Sequence, residues 1–409
     1  DSLGLQRFRA AIGCTLPMVL FLHNRYRTTG GEERAVEDLI WLVRERLREP
    51  AELLTRSSAE LPRSRAALAL LRGGLEPQEV TAAVRTSGAR VVHAHNLQPA
   101  LGWRALAAAR EAGARVVLHL HQYRLVCAIG VCFTRGAECT RCHGRDTLAG
   151  VRLNCRGSRP EAVAYAASLA LWQRRMVEQA DAIVVPSVFA RERLRELGAP
   201  LPWERVSVLA PLVRSLDEAE PAVRTGASDS VAGARLRDGY ALVVSRLAPE
   251  KGVDVAIDAC RLAGIPLVIA GDGPEREALA AQAQARARTG EAAAPVSFAG
   301  HVDDGELARL RAGAAIALVP SRSAETFGLA AAEAMAAGLP VVASRVGALA
   351  ELVEDAALVA PGDAAALAQA ATRLSGDSGA AERAYERVRA VCSPALVADA
   401  LAKIYDGSA

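Results

Sequence analysis

Short, unbroken apolar runs recur along the chain, and longer alanine-rich stretches with apolar residues every three or four positions separate them. MVLFLH (18–23), ARVVHAH (89–95), ARVVLHLH (114–121), DAIVVPS (181–187) and RVSVLA (205–210) predict strands in the first half, with helices over 33–47, 99–112 and 162–179. The second half repeats the scheme with YALVVSR (240–246), IPLVIAG (265–271), PVSFAG (295–300), AAIALVPS (314–321) and LPVVASR (339–345). Continuous rather than alternating apolar strands, interleaved with helices, indicate parallel sheets covered on both faces. The polar, Ala/Gly/Ser-rich segment 215–239 separates the two sets. The expected fold is α/β, with two doubly wound domains at 18–212 and 240–391 facing a cleft and a linker at 213–239 between them. Residues 392–409 predict a helix returning to the first domain, and residues 1–17, which have no charged-then-apolar leader pattern, an extension outside the core.

Composition narrows the function classes. A chain of 409 residues with 51% hydrophobic and 23% charged residues is ordinary for a globular protein, and no apolar run approaches the roughly 20 residues of a membrane span. The net charge of +3 hides an asymmetry: residues 1–210 carry 30 arginines against 20 acids, and residues 211–409 carry 19 basic and 26 acidic residues. A basic first half reads as solvated helix faces or as a surface for an anionic lipid or phosphorylated acceptor. Nucleic acid is disfavoured, because aromatics are 4% and do not interleave with the arginines. Cytoplasmic location is expected, with peripheral contact at the inner membrane face through the basic first domain.

Five of the eight cysteines fall between residues 127 and 155. In CTRC a two-residue spacer lets both thiolates reach one tetrahedral ion. Cys127, Cys139, Cys142 and Cys155 form the preferred set for a structural zinc, with Cys132 and His143 as substitutes; free buried thiols or a redox pair are the alternative. Cys14, Cys260 and Cys392 read as small core residues.

The strand ends carry the candidate chemistry. After the strand at 240–246, Arg246 and Lys251 can converge on one phosphate pair, and Lys251 is one of only two lysines beside 47 arginines. Gly271 and Gly273 in GDGP, and Gly30 and Gly31 in RTTGGEER, suit close backbone approach to a ligand. His121 ends a strand and can face the cleft, with His119 deeper on the same face; His93 and His95 end the preceding strand. In ETFGLAAAEAMAAGLP (325–340) two glutamates stand eight residues apart, about 80° and about 12 Å on a continuous helix. The spacing makes sense if Glu325 lies in a loop and Thr326, Phe327 and Gly328 form the helix N-terminus, with its unpaired N–H groups.

SRLAPEKG, AGDGP, FAGHV and PSRSAETFGLAAAEAMAAGLPVVAS followed by VGALAE resemble the nucleotide-sugar domain of retaining GT-B glycosyltransferases, in particular glycosyltransferase family 4. GGEER, VVHAHN, LHLHQYR and VVPSVFARERL are similar to the acceptor-side, Rossmann-like domain of that family. The resemblance implies a hexosyltransferase that needs no catalytic metal or other cofactor, a UDP- or GDP-sugar donor, and a saccharide or lipid-linked acceptor. It implies that Arg246 and Lys251 hold the diphosphate, that Glu333 binds the ribose, and that Glu325 and His121 lie at the sugar. Backbone groups of Thr326, Phe327, Gly328 and Leu329 would contact sugar or phosphate, Gly30 and Gly31 would approach the diphosphate, and Glu351 would support the motif from the next turn. Two other readings stay open: a sugar-nucleotide-binding protein without catalysis, and an epimerase or phosphorylase on the same fold.

Overall fold

The computed structural model describes residues 18–26, 30–217, 239–287, 294–375, 377 and 379–408. The predicted extension 1–17, Cys14 with it, and residues 218–238 of the predicted linker lie outside the described residues.

The first sheet has six parallel strands: β1 (Met18–Arg25), β2 (Ala51–Ser57), β3 (Ala89–Ala94), β4 (Arg115–His119), β7 (Ala182–Val185) and β8 (Val206–Val208) in the order β2-β1-β3-β4-β7-β8. A small hairpin, β5 (Phe133–Thr134) with β6 (Ala137–Glu138), sits in the cysteine-bearing loop. The second sheet, β9 (Tyr240–Val244), β10 (Leu267–Ala270), β11 (Val296–Gly300), β12 (Ala314–Val319), β13 (Val341–Ser344) and β14 (Leu358–Val359), is parallel with order β11-β10-β9-β12-β13-β14. In both, the order reverses beside the first strand, between β1 and β3 and between β9 and β12. Such switch points open a crevice at the strand carboxyl ends, where doubly wound sheets take ligands.

Alternation along β1 and β3 sends neighbouring side chains to opposite faces, so each face has its own core. Leu20, Leu22, Val92 and Leu106 pack on one side, and Val19, Phe21, Val91 and Leu42 on the other. Tyr405, Leu401 and Val397 from the helix Pro394–Asp406 complete the second of these cores. That helix belongs to the first domain in space although it follows the second in sequence. Tyr405 OH lies 2.8 Å from His93 Nδ1, and Arg115 donates to the Ile404 carbonyl at 3.1 Å. The chain therefore passes between domains twice, and the passages touch where Val213 N–H donates to Cys392 O at 3.1 Å.

Strand β2 is not apparent in the hydrophobic pattern, because only Ala51 of its seven residues is fully buried at this sheet edge. No helix among the described residues is long and apolar enough to cross a membrane.

Candidate active site

Two switch-point loops meet across the cleft. From β9 the chain turns through Arg246 and the 3-10 turn Pro249–Lys251 to Gly252, whose φ of +63° places it in the left-handed region. A Cβ there would lie 2.1 Å from Pro320 O, so glycine lets this turn press against the loop after β12. The contact brings Lys251 Nζ to 2.6 Å from Glu325 Oε1, the oxygen that also accepts from Ser321 Oγ at 2.6 Å. Glu325 lies in the loop and Glu333 in the following helix, Leu329–Ala336, whose N-cap is Gly328. Burial pushes the Glu325 carboxyl up, but the Lys251 charge, the hydrogen bonds from Lys251 and Ser321, and the Arg246 charge outweigh it and hold it below the usual carboxylate range. Arg246 itself pairs with Glu250 and stays half exposed.

Glu333 is largely buried and spans the domains. Its Oε1 lies 2.9 Å from Arg34 Nε on the first-domain helix Gly31–Glu45, and its other oxygen accepts from Arg311. Both partners lie outside the sequence prediction. Gly31 faces the same place: a Cβ on it would sit 3.7 Å from Leu329 Cδ2. Gly30 N–H donates to Glu33 Oε2 at 2.9 Å while Tyr26 N–H donates to Glu33 Oε1 at 3.1 Å, so one carboxylate accepts from both backbone groups.

Further cross-domain bonds fix the glutamate loop. Thr326 Oγ1 donates to the His121 carbonyl at 2.9 Å, and Ser187 Oγ donates to the Thr326 carbonyl at 2.7 Å. The Thr326 carbonyl is thus already occupied, and Phe327 is buried in the second core. Glu351 departs from its expected role. Its carboxylate accepts from Val188 N–H at 3.2 Å and from Phe189 N–H, capping the first-domain helix Val188–Glu196, while Ala348 N–H, donating to Glu325 O at 2.9 Å, supports the motif. The GDGP glycines also pack closely within the chain: Cβ atoms on Gly271 and Gly273 would lie 1.9 Å from Ser245 O and 2.3 Å from Leu247 O. The close approach there is backbone to backbone.

Beneath these loops the histidines collect. His93, His95, His119 and His121 share one sheet face, with ring centroids 4.5 Å apart for His93–His95 and 4.1 Å for His119–His121. His95 Nδ1 lies 2.8 Å from His121 Nε2, and His119 Nδ1 lies 3.3 Å from His93 Nε2. Burial and the neighbouring rings push His93 down to about 3 and His95 and His119 well below the usual imidazole range. Burial also lowers His121, against Glu32 and Glu33, so all four stay neutral near pH 7. Beside them opens a cavity of about 530 Å³, lined by Glu32, His95, His121, Gln122, Arg124 and Trp172 among others.

The predicted metal ligands share one cavity but lie farther apart than three of the histidines do. His93, His95 and His119 have donor atoms within 4.8 Å of one another, whereas the cysteines form no such group among the described residues. Cys127, Cys139, Cys142 and Cys155 instead line one cavity of about 370 Å³ together with Cys132, all as free thiols.

The comparisons bear on both domains. Residues 228–391 match the family model for glycosyl transferases group 1, and residues 18–211 match a glycosyl transferase 4-like domain. The chain belongs to the group 1 glycosyl transferases. Its two sheets form the GT-B fold. Among curated group 1 relatives, a glycogen synthase of Mycobacterium tuberculosis is 34% identical over 244 residues, 56% of this chain and 55% of that one. A GDP-mannose-dependent alpha-(1-6)-phosphatidylinositol dimannoside mannosyltransferase of the same species is 38% identical over 186 residues, 42% and 43% of the two chains. The chain thus spans about half the length, or less, of these relatives. Anabaena HepE, solved with UDP and glucose, superposes with a TM-score of 0.61 at 19% identity over 95% of this chain and 99% of that one. That likeness concerns the fold.

Within this group 1 chain, Ser321, Arg34, Arg311 and Ser187 are the site residues that sequence reasoning missed. Ser321 sits four residues before Glu325 in a loop, where no periodicity links them, and Arg34 and Ser187 reach the motif only through domain packing.

Proposed function

We propose that this chain is a retaining hexosyltransferase that moves a sugar from a nucleoside diphosphate, UDP or GDP, to a saccharide or lipid-linked acceptor. The observation that carries the reading is the partly buried contact of Lys251 with Glu325 beside Arg246, at the end of the helix that also bears Glu333. As the sugar leaves, positive charge develops at its anomeric carbon and negative charge on the diphosphate. Arg246 and Lys251 stabilise the diphosphate, so the reaction needs no catalytic metal, and ionised Glu325 faces the sugar.

In this reading the bond from the anomeric carbon to the phosphate oxygen breaks while the acceptor oxygen attacks on the same face. The acceptor proton passes to the departing phosphate oxygen, and the configuration is retained. Glu325 orients and stabilises; it forms no covalent bond. Glu333 accepts from the ribose hydroxyls with lone pairs left over from Arg34 and Arg311. Phe327, Gly328 and Leu329 offer N–H groups of a helix start to the donor. Gly30 and Gly31 leave room for the diphosphate, and His121 lies between the sugar and the cavity that takes the acceptor. Gly271 and Gly273 act only by shaping the loop that meets the donor.

The basic first domain suits an anionic acceptor or lipid surface on the cytoplasmic side. A phosphorylase that holds its cofactor on a lysine fits poorly, because Lys251 is paired with Glu325 and Lys403 is exposed on the last helix.

The test is a thermal-shift screen of UDP, GDP and ADP with their common sugars, followed by assay of nucleoside diphosphate release. One nucleotide should stabilise the protein, by about 2.7 kcal/mol at a hundredfold excess over its Kd. No response to any of them would overturn the reading.

A further inference from the structure

We propose that the cysteine-bearing loop of the first domain binds one zinc ion through Cys127, Cys139, Cys142 and Cys155, which fastens the loop and takes no part in sugar transfer. Between β4 and the helix Arg159–Glu178, regular structure is limited to the two-residue strands β5 and β6 and the short helix Leu148–Arg152. A segment this long with so little regular structure needs another tie to hold one shape.

The fold brings the four thiols to the walls of one cavity, although they do not form a group within 4.8 Å of one another. Hairpin pairing sets Cys139 opposite Cys132, with Cys139 N–H donating to Cys132 O at 2.7 Å. Cys155 N–H donates to Gly150 O at 3.0 Å, and Cys142 Sγ lies 3.8 Å from where a Cβ on Gly150 would be. These turns bring thiols from three parts of the loop to the walls of the 370 Å³ cavity, whose other walls include Ala128, Ile129 and Leu197. Those side chains are apolar, and Thr134, another wall, accepts from Cys155 Sγ at 3.9 Å.

Zinc–sulfur bonds of about 2.3 Å place four sulfurs roughly 3.8 Å apart around the ion, so the four side chains need to turn inward to bind. Cys132 is buried, whereas the other four cysteines of the loop are only partly buried. Its burial leaves the four partly buried thiols as the ligand set. Four thiolates and a dication leave a net charge of −2. Residues 127–156 carry Arg135, Arg141, Arg145, Arg152 and Arg156 against Glu138 and Asp146, a surplus of the opposite sign.

The histidine trio is the competing site: both ring nitrogens of His93 are paired, to Tyr405 and His119, and His95 Nδ1 meets His121, while His95 Nε2 and His119 Nε2 are buried without a hydrogen-bond partner. Elemental analysis of the full chain, purified without chelator, should find about one zinc per chain, falling below about a tenth in the Cys139→Ser/Cys142→Ser variant. Because that variant can fail to fold, two measurements use the unaltered sequence. Mercurial titration of the intact protein should release the zinc as four thiols react, and Co²⁺ substitution should give the intense visible bands and thiolate charge transfer of a tetrahedral sulfur site. Less than about a tenth of an equivalent of zinc in the intact chain, or a cobalt spectrum without thiolate charge transfer, overturns the proposal. The latter result would move the metal to the histidines.

Discussion

Replacing Glu325 by glutamine keeps the side chain's shape and removes its charge. In the structure that charge sits 2.6 Å from the Lys251 ammonium. At an effective dielectric constant of 20, the gross attraction at this separation is about 6 kcal/mol, most of it offset by the cost of taking both ions out of water. An amide still accepts from Ser321 and Lys251, so Glu325→Gln should destabilise the fold by only about 1–2 kcal/mol. The effect on transfer should be larger, because the lost charge faces the sugar as it becomes cationic. Removal of one such electrostatic group typically costs about 10²–10³ in kcat, about 2.7–4 kcal/mol. Nucleoside diphosphate should bind within about threefold of the original affinity, since Arg246 and Lys251, the latter without its counter-charge, still face the phosphates. Steady-state release of nucleoside diphosphate gives kcat, and titration calorimetry gives the nucleotide Kd. Transfer within about threefold of the unaltered protein would refute the role given to Glu325, and a parallel loss of nucleotide affinity would make it a donor-holding residue instead.

Glu333→Ala should weaken nucleotide binding by about 10–100-fold in the same calorimetric assay, through loss of charged hydrogen bonds to the ribose; unchanged affinity would remove Glu333 from the donor site. Glu351→Ala removes the cross-domain cap of the helix Val188–Glu196 and leaves only the Ser187 cap. Small-angle scattering should then show a more open average shape and kinetics a donor KM raised roughly threefold, and identical values would show that the contact does not hold the domains. The pH dependence has a fixed sign. The Glu325 carboxyl is held below its ordinary value of 4.5, so its contribution to stability is complete above that value and is lost as pH falls through the lower folded-state value. Melting temperatures of the original protein and Glu325→Gln should therefore differ at pH 7 and converge below about pH 4.5; a gap that widens on acidification would contradict the Lys251–Glu325 pairing.

Legibility in the sequence followed burial. Strands buried on both faces announce themselves as apolar runs, which is why β1, β3, β4 and β9 could be read directly. The edge strand β2 could not, and the helix Arg63–Arg72, with Leu68 and Leu71 exposed and only Ala69 and Leu70 buried, has no continuous apolar face. The loop placement of Glu325 followed from helix geometry alone. Its partner Ser321 did not, and no local pattern could have joined Arg34 to Glu333 or Glu351 to Val188, since each pair forms only when two separately folded sheets dock. The glycines of GDGP show the limit in another way: sequence says that something comes close to them, and only the fold shows that it is the chain's own backbone.

The helix Pro394–Asp406 has a consequence for the order of events during synthesis. Its Val397, Leu401 and Tyr405 cover one face of a sheet whose first strand is made almost four hundred residues earlier. While the ribosome is still making the second domain, Val19, Phe21, Val91 and Val117 lack the helix that shields them. Domains usually finish in the order in which they are translated. Here the earlier one waits for the later, and through that interval its apolar sheet face is the part of the chain most in need of a chaperone.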